Sequence, residues 1–209
     1  MSAADHPQSA SAMQKTIFAS PWISDLMHRF SVRTLRWLGW QVEGELPAGG
    51  KCVLIVAPHT SNWDFPIGLM VCFALRLEAY WMGKHTLFPP LLGGIMRWLG
   101  GIPVDRSRAG NLVATTVAAF AQHERLVVAI PPEGTRSRVS RWKTGFYHIA
   151  CGAGVPIALG FIDFGRKTAG LKGAFMPTGD IDADLPKIQA VYAGIVGKNP
   201  QQFAAATRD

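Results

Sequence analysis

His59 and Asp64, five residues apart in Pro58-His59-Thr60-Ser61-Asn62-Trp63-Asp64, are a pair that can abstract a proton. That chemistry needs a carboxylate on one imidazole nitrogen, to fix the tautomer and support the imidazolium, while the other nitrogen stays free as the base. The apolar run Val53 to Ala57 reads as a buried strand and Asp64 opens a helix, so the pair falls at a strand end, where α/β sheets commonly carry reactive groups. A second reading fits the same spacing: Asn62 and Asp64 are helix-start residues favoured by the dipole, and His59 is an ordinary loop histidine. The spacing alone does not choose between them.

Two later loops bear on that choice. Pro132-Glu133-Gly134-Thr135-Arg136-Ser137 follows the strand Leu126 to Ile130. A glycine, two hydroxyls and a guanidinium make an anion cradle, because arginine offers a planar fork to phosphate oxygens. Glu133 is placed to orient Arg136 or a neighbouring basic group; the competing reading is a surface turn with an incidental ion pair. Gly100 to Val104 leads into Asp105 and Arg106, where the arginine is either a phosphate ligand or the salt partner of its neighbour.

The elements around these loops alternate between β-rich and helical runs, which predicts an α/β fold: a single-domain layered sheet of mostly central strands flanked by helices. Strands are expected at 53–57, 80–83, 102–104, 126–130, 156–162 and 171–176. Helices are expected at 64–77, 87–99, 109–123, 144–151 and 185–196. Ser20-Pro21 is a helix start, with the hydroxyl as cap, and the N-terminal helix runs to Leu38. On it Ile23, Leu26, Met27, Phe30, Trp37 and Leu38 share a face, with Arg29, Arg33 and Arg36 on a neighbouring stripe. That pattern fits an interfacial helix, and it also fits a helix packed on the core with solvated arginines. The expected organisation is a flexible segment at 1–19, a domain at 20–198 that begins with the amphipathic helix 20–38, and a frayed tail at 199–209.

With 209 residues and 48% hydrophobic content, the chain suffices for one core. The net charge of +7 comes with 17% charged residues, so the excess is positive without the dense basic runs of a nucleic-acid arm. An anionic partner is expected, an anionic membrane surface being one candidate, and no nucleic acid. Cys52, Cys72 and Cys151 form neither a CxxC pair nor a disulfide framework and read as buried free thiols of a reducing compartment. No signal peptide is visible, and the longest apolar run, Ile67 to Leu75, is too short to span a bilayer. The six histidines show no His-x3-His or HExxH spacing, so no metal site is expected.

In order along the chain, these blocks resemble the 1-acylglycerol-3-phosphate acyltransferase family, from about Gly39 to Ile162. His59 and Asp64 match its His-x4-Asp block, and Gly100 to Arg106 its second block. Pro132 to Ser137 match the third in full, Val155-Pro156-Ile157 the fourth, and Lys84 resembles its Lys-x-x-Leu stretch. Pro58 stands where the family often has Asn and Thr86 where it often has Glu, while Pro103 interrupts the second block. The resemblance implies direct acyl transfer from acyl-CoA or acyl carrier protein to a hydroxyl of a lysophospholipid-like acceptor, with no cofactor beyond the thioester co-substrate. His59 and Asp64 are then catalytic, and Lys84, Arg106, Glu133, Gly134, Thr135 and Arg136 bind substrate. The expected location is cytoplasmic, peripheral on the inner face of the cytoplasmic membrane. Other readings stay open: a different acceptor such as an amino-acid lipid, a phosphohydrolase, or a non-enzymatic lipid-binding module.

Overall fold

The computed structural model of the chain describes residues 15–104 and 109–203. Seven strands form one sheet in the order β1-β7-β6-β2-β5-β3-β4. They are β1 (Gln41–Glu43), β2 (Lys51–Ala57), β3 (Ala79–Lys84), β4 (Gly101–Val104), β5 (Leu126–Ile130), β6 (Ile157–Asp163) and β7 (Thr168–Phe175). The helices are α1 (Pro21–Trp37), α2 (Asp64–Ala74), α3 (Gly93–Trp98), α4 (Ala109–Gln122), α5 (Gly145–Ala153) and α6 (Ile181–Ala190). Neighbouring strands run parallel except β7 against β6. The carboxyl ends of β2, β3, β4, β5 and β6 therefore share one edge.

Both sheet faces are covered, which is why the central strands read as continuous apolar runs rather than alternating ones. Val53, Ile55 and Ala57 of β2 pack with Phe120, Phe146, Ile149 and Ile188 from α4, α5 and α6. Cys52 and Leu54 point the other way, toward Leu77, Val127 and Ala158. On that second side α1 and α2 bury Leu35, Ile67 and Val71 against Ile162 and Ala169.

Several boundaries differ from expectation. The helix expected at 87–99 is only Gly93–Trp98, preceded by a 3-10 turn at His85–Leu87. Pro89 and Pro90 lack an N–H and disfavour helical backbone before them, so the helix starts after both. The last helix begins at Ile181 rather than Leu185, because the Asp180 carboxylate accepts the Ala183 N–H at 3.1 Å and caps it. Ser20 occupies the N-cap position of α1, but its side chain makes no capping bond. β1 escapes notice in the sequence, being three residues long with two polar ones, and Gly170 and Gly173 weaken the reading of β7.

Of the expected flexible segment 1–19 and frayed tail 199–209, residues 1–14 and 204–209 lie outside the described residues, and the described parts pack on the fold. Ile17 is buried and Phe18 lies on Phe73 with ring centroids 4.7 Å apart. Asn199 to Phe203 follow the fold as described below. The thiols divide as well: Cys52 is buried and Cys72 half-buried, and burial pushes each up to about 12, whereas Cys151 is exposed. Among the described residues no helix is long and apolar enough to cross a membrane.

Candidate active site

Strand β2 ends at Ala57, and a cis peptide to Pro58 turns the chain into the loop that carries His59. Asp64, the first residue of α2, points back across that loop. Its Oδ2 accepts the Thr60 N–H at 2.7 Å and the Ser61 N–H at 2.8 Å, and lies 3.2 Å from His59 Nδ1. Two backbone donors hold that oxygen beside the imidazole, and the helix N-terminus favours its charge. The Asp64 side chain is 2% exposed and that of His59 21%, so the aspartate is shut in while the imidazole reaches solvent. With Nδ1 on Asp64, the available nitrogen is Nε2.

The neighbouring strand supplies the second support. β2 pairs with β5 along Lys51 to Ile55, which sets the loop after Ile130 beside the histidine loop. Glu133 Oε1 accepts the backbone N–H of His59 at 3.0 Å. Burial raises the Glu133 pKa above its ordinary 4.5, against its backbone hydrogen bonds and His59, which lower it. Its Oε2 is buried without a partner among the described residues, near the buried Tyr192 ring that packs edge-on against Trp142 at 5.5 Å.

The Glu133 loop is itself closed by backbone bonds, Gly134 N–H to Pro131 O at 3.1 Å and Lys143 N–H to Pro132 O at 2.8 Å. Gly134 has φ +64, a left-handed conformation that favours glycine, and a Cβ there would sit 2.8 Å from Lys143 Cδ and displace that side chain. Thr135 and Arg136 lie exposed beyond it. Lys84 ends β3, exposed, on the far side of β5 from β2, about 10 Å away by strand spacing. Thus His59 stands in contact with Asp64 and is bonded through its backbone to Glu133, while Gly134, Thr135 and Arg136 border them, and Lys84 shares the sheet edge without bonding to them. Arg106 lies outside the described residues.

A third wall comes from residues the sequence reading assigned to a frayed tail. Asn199 donates its backbone N–H to Thr60 Oγ1 at 3.2 Å and its side-chain amide to Thr60 O at 2.8 Å. The Gln202 amide, oriented by its acceptors, donates to Thr60 O at 2.7 Å and Arg136 O at 2.8 Å. Asn199-Pro200 is a turn signal, but nothing local in the sequence reveals a partner more than a hundred residues away. Among the described residues, no group of three or more His, Cys, Asp or Glu is arranged to hold a metal.

The molecule is thus an α/β protein with a carboxylate-held histidine at the carboxyl edge of a parallel sheet. The acyltransferase family profile matches residues 40–158, more than half of the 209 residues, and the chain belongs to that family. It is 28% identical over 150 residues to the 1-acyl-sn-glycerol-3-phosphate acyltransferase of Haemophilus influenzae, covering 67% of this chain and 61% of that protein. The enzyme of the same name from Salmonella typhimurium is 31% identical over 129 residues, covering 57% of this chain and 51% of the relative. The chain therefore spans between half and two thirds of these relatives' lengths. The crystal structure of the 1-acyl-sn-glycerophosphate (LPA) acyltransferase from Thermotoga maritima shares the fold, with a TM-score of 0.56 at 16% identity over 83% of this chain and 79% of that one.

Proposed function

We propose that the chain is an O-acyltransferase that moves a fatty acyl group from acyl-CoA or acyl carrier protein to a hydroxyl of a lysophospholipid-like acceptor such as 1-acylglycerol-3-phosphate. The observation that carries this reading is the His59–Asp64 contact of 3.2 Å, held by the Thr60 and Ser61 amides. His59 Nε2 takes the acceptor's hydroxyl proton as its oxygen attacks the thioester carbonyl, and Asp64 stabilises the imidazolium. The tetrahedral intermediate collapses, the C–S bond breaks, and the thiolate leaves with the proton from the imidazolium. No acyl-enzyme and no resident cofactor is needed.

Arg136, exposed at the rim, is the group for a phosphate on acceptor or donor, with Lys84 as a further cation along the edge; Arg106, outside the described residues, is kept as a phosphate ligand on the family resemblance alone. Glu133, Gly134 and Thr135 shape the rim.

The acceptor's class implies a membrane surface, and α1 supports one. Trp22, Leu26, Phe30 and Trp37 are exposed along one stripe of the helix, with Arg29, Arg33 and Arg36 exposed beside them. This reading places the protein peripherally on an anionic leaflet, at the inner face of the cytoplasmic membrane.

The test is a matrix of acyl-CoA and acyl carrier protein donors against lysophospholipid, amino-acid-lipid and neutral acceptors, with thiol release and acylated product measured together. Stoichiometric thiol and product support transfer. Thiol without product for every acceptor indicates a thioesterase and overturns the proposal.

A further inference from the structure

A groove of about 530 Å³ opens beside the histidine loop, on the side of the sheet that carries α1 and α2. This size lies within the range of roughly 300–1,000 Å³ of ordinary small-molecule sites. Ile67 and Met70 of α2 form its floor, and Trp40, Trp63, Phe164 and Val196 its walls. Trp63 lies between His59 and Asp64 in the chain, so the groove and the candidate active site share a loop. Gly197, also in the lining, seals that junction: a Cβ there would stand 2.6 Å from Thr60 Oγ1 and 3.2 Å from Pro58 Cβ.

The groove's rim is cationic. Lys198 Nζ stands 5.5 Å from the centre of the Phe164 ring, and Lys167 Nζ donates to Leu38 O at 3.1 Å. Neither ammonium pairs with a carboxylate among the described residues. Lys167 has φ +50, a left-handed conformation uncommon for a residue with a Cβ, and it is held there by a turn built on Asp163. The Asp163 carboxylate, buried at the end of β6, accepts the Gly165 and Arg166 amides at 2.9 and 3.1 Å and Arg166 Nε at 2.7 Å. A concave apolar trough in which Lys198 follows Gly197 at the junction with Thr60 matches an amphiphile that has a hydrocarbon chain and an anionic head close to the histidine loop, while Lys167 stands at the outer end by Leu38. At its outer end the groove is lined by Leu38, which follows the exposed Trp37 of the α1 stripe, so it is continuous with the surface assigned to the membrane.

We propose that this groove binds the hydrocarbon chain of the anionic acceptor, admitting it from the α1 surface and bringing its hydroxyl to His59. The inference rests on the acyl-transfer reading and adds to it a location for the acceptor's own chain.

The test uses the full chain and lysophosphatidate with a diazirine near the end of its acyl chain. Photolabel on the tryptic segments containing Trp63 to Met70 and Val196 to Pro200 is expected, with weaker labelling by the neutral-headed monoacylglycerol analogue. Val196→Trp, which fills the groove from a partly exposed position, is expected to lower the preference for a long-chain acceptor over its short-chain homologue. The expected loss is on the order of tenfold, equivalent to displacing about two buried methylenes. Label confined to other segments, or an unchanged chain-length preference in Val196→Trp, overturns the assignment. Wild-type protein that takes label in the groove yet acylates no acceptor overturns the transfer reading and leaves the chain site standing.

Discussion

The backbone N–H of His59 donates to the side chain of Glu133 at 3.0 Å, tying the loop after β2 to the loop after β5. The histidine therefore has two anchors of different kinds: Asp64 on its ring and Glu133 on its main chain. Each makes a separate experiment.

Replacing His59 with Ala removes the proposed base from a partly exposed loop position and leaves the core untouched. Turnover should fall by about 10²- to 10⁴-fold, the usual contribution of a positioned general base, while circular dichroism and Tm stay at wild-type values. Near-normal turnover in this variant sinks the mechanism.

Glu133→Gln keeps an oxygen able to accept the His59 N–H, whereas Glu133→Ala leaves that donor without its partner, at a cost of about 1–3 kcal/mol where it is buried. Turnover should be largely retained in the first and lost in the second. Because burial raises the Glu133 pKa above 4.5, the stability tied to its protonated form is present below that value and lost as pH rises through the folded pKa. Glu133→Gln removes this loss, so its Tm relative to wild type should climb as pH rises above 4.5 through the folded pKa of Glu133.

Arg136 is exposed, and its own carbonyl accepts from Gln202. Arg136→Ala should raise KM for a phosphate-bearing acceptor by roughly tenfold or more, the effect of losing a charged hydrogen bond, and should spare a neutral acceptor. Equal losses for both point to a donor-side or structural role.

Asp184 tests the framework rather than the site. Its Oδ2 accepts the Tyr147 hydroxyl at 2.8 Å, the Thr178 amide at 2.7 Å and the Thr178 hydroxyl at 2.9 Å, joining α6 to α5. Burial pushes the Asp184 pKa up, but these bonds and Lys187 outweigh it and hold the carboxyl below its ordinary 3.8. Such a group adds stability above pH 3.8 that disappears as pH falls through the folded pKa. Asp184→Asn should lower Tm at neutral pH and flatten the acid side of the Tm-against-pH curve.

Legibility in the sequence follows the range of the interaction. β2 and β5 are readable because both their faces are buried, leaving Cys52 to Ala57 and Leu126 to Ile130 without polar interruption. The reach of Asp64 to His59 is readable because a single tight turn separates them. The pairing of β1 with β7, the antiparallel sense of β7 and the docking of Asn199 on Thr60 depend on partners distant along the chain, with no local pattern to announce them. Local chemistry misled at α3, where apolar spacing suggested a longer helix than the two prolines allow, and at Cys151, which is exposed although its apolar neighbours Phe146, Ile149 and Ala150 are buried.

The different settings of the three cysteines bear on how the enzyme is assayed. Cys52 and Cys72, with pKa values pushed to about 12, hold almost no thiolate at neutral pH and stay silent toward disulfide dyes. Cys151, exposed on α5, is open to the dye in the resting protein. A colorimetric readout of released thiol will thus begin from an offset of one equivalent per chain. Cys151→Ser should remove that baseline, and the same residue offers a single attachment point for a fluorophore on the face of the sheet opposite α1.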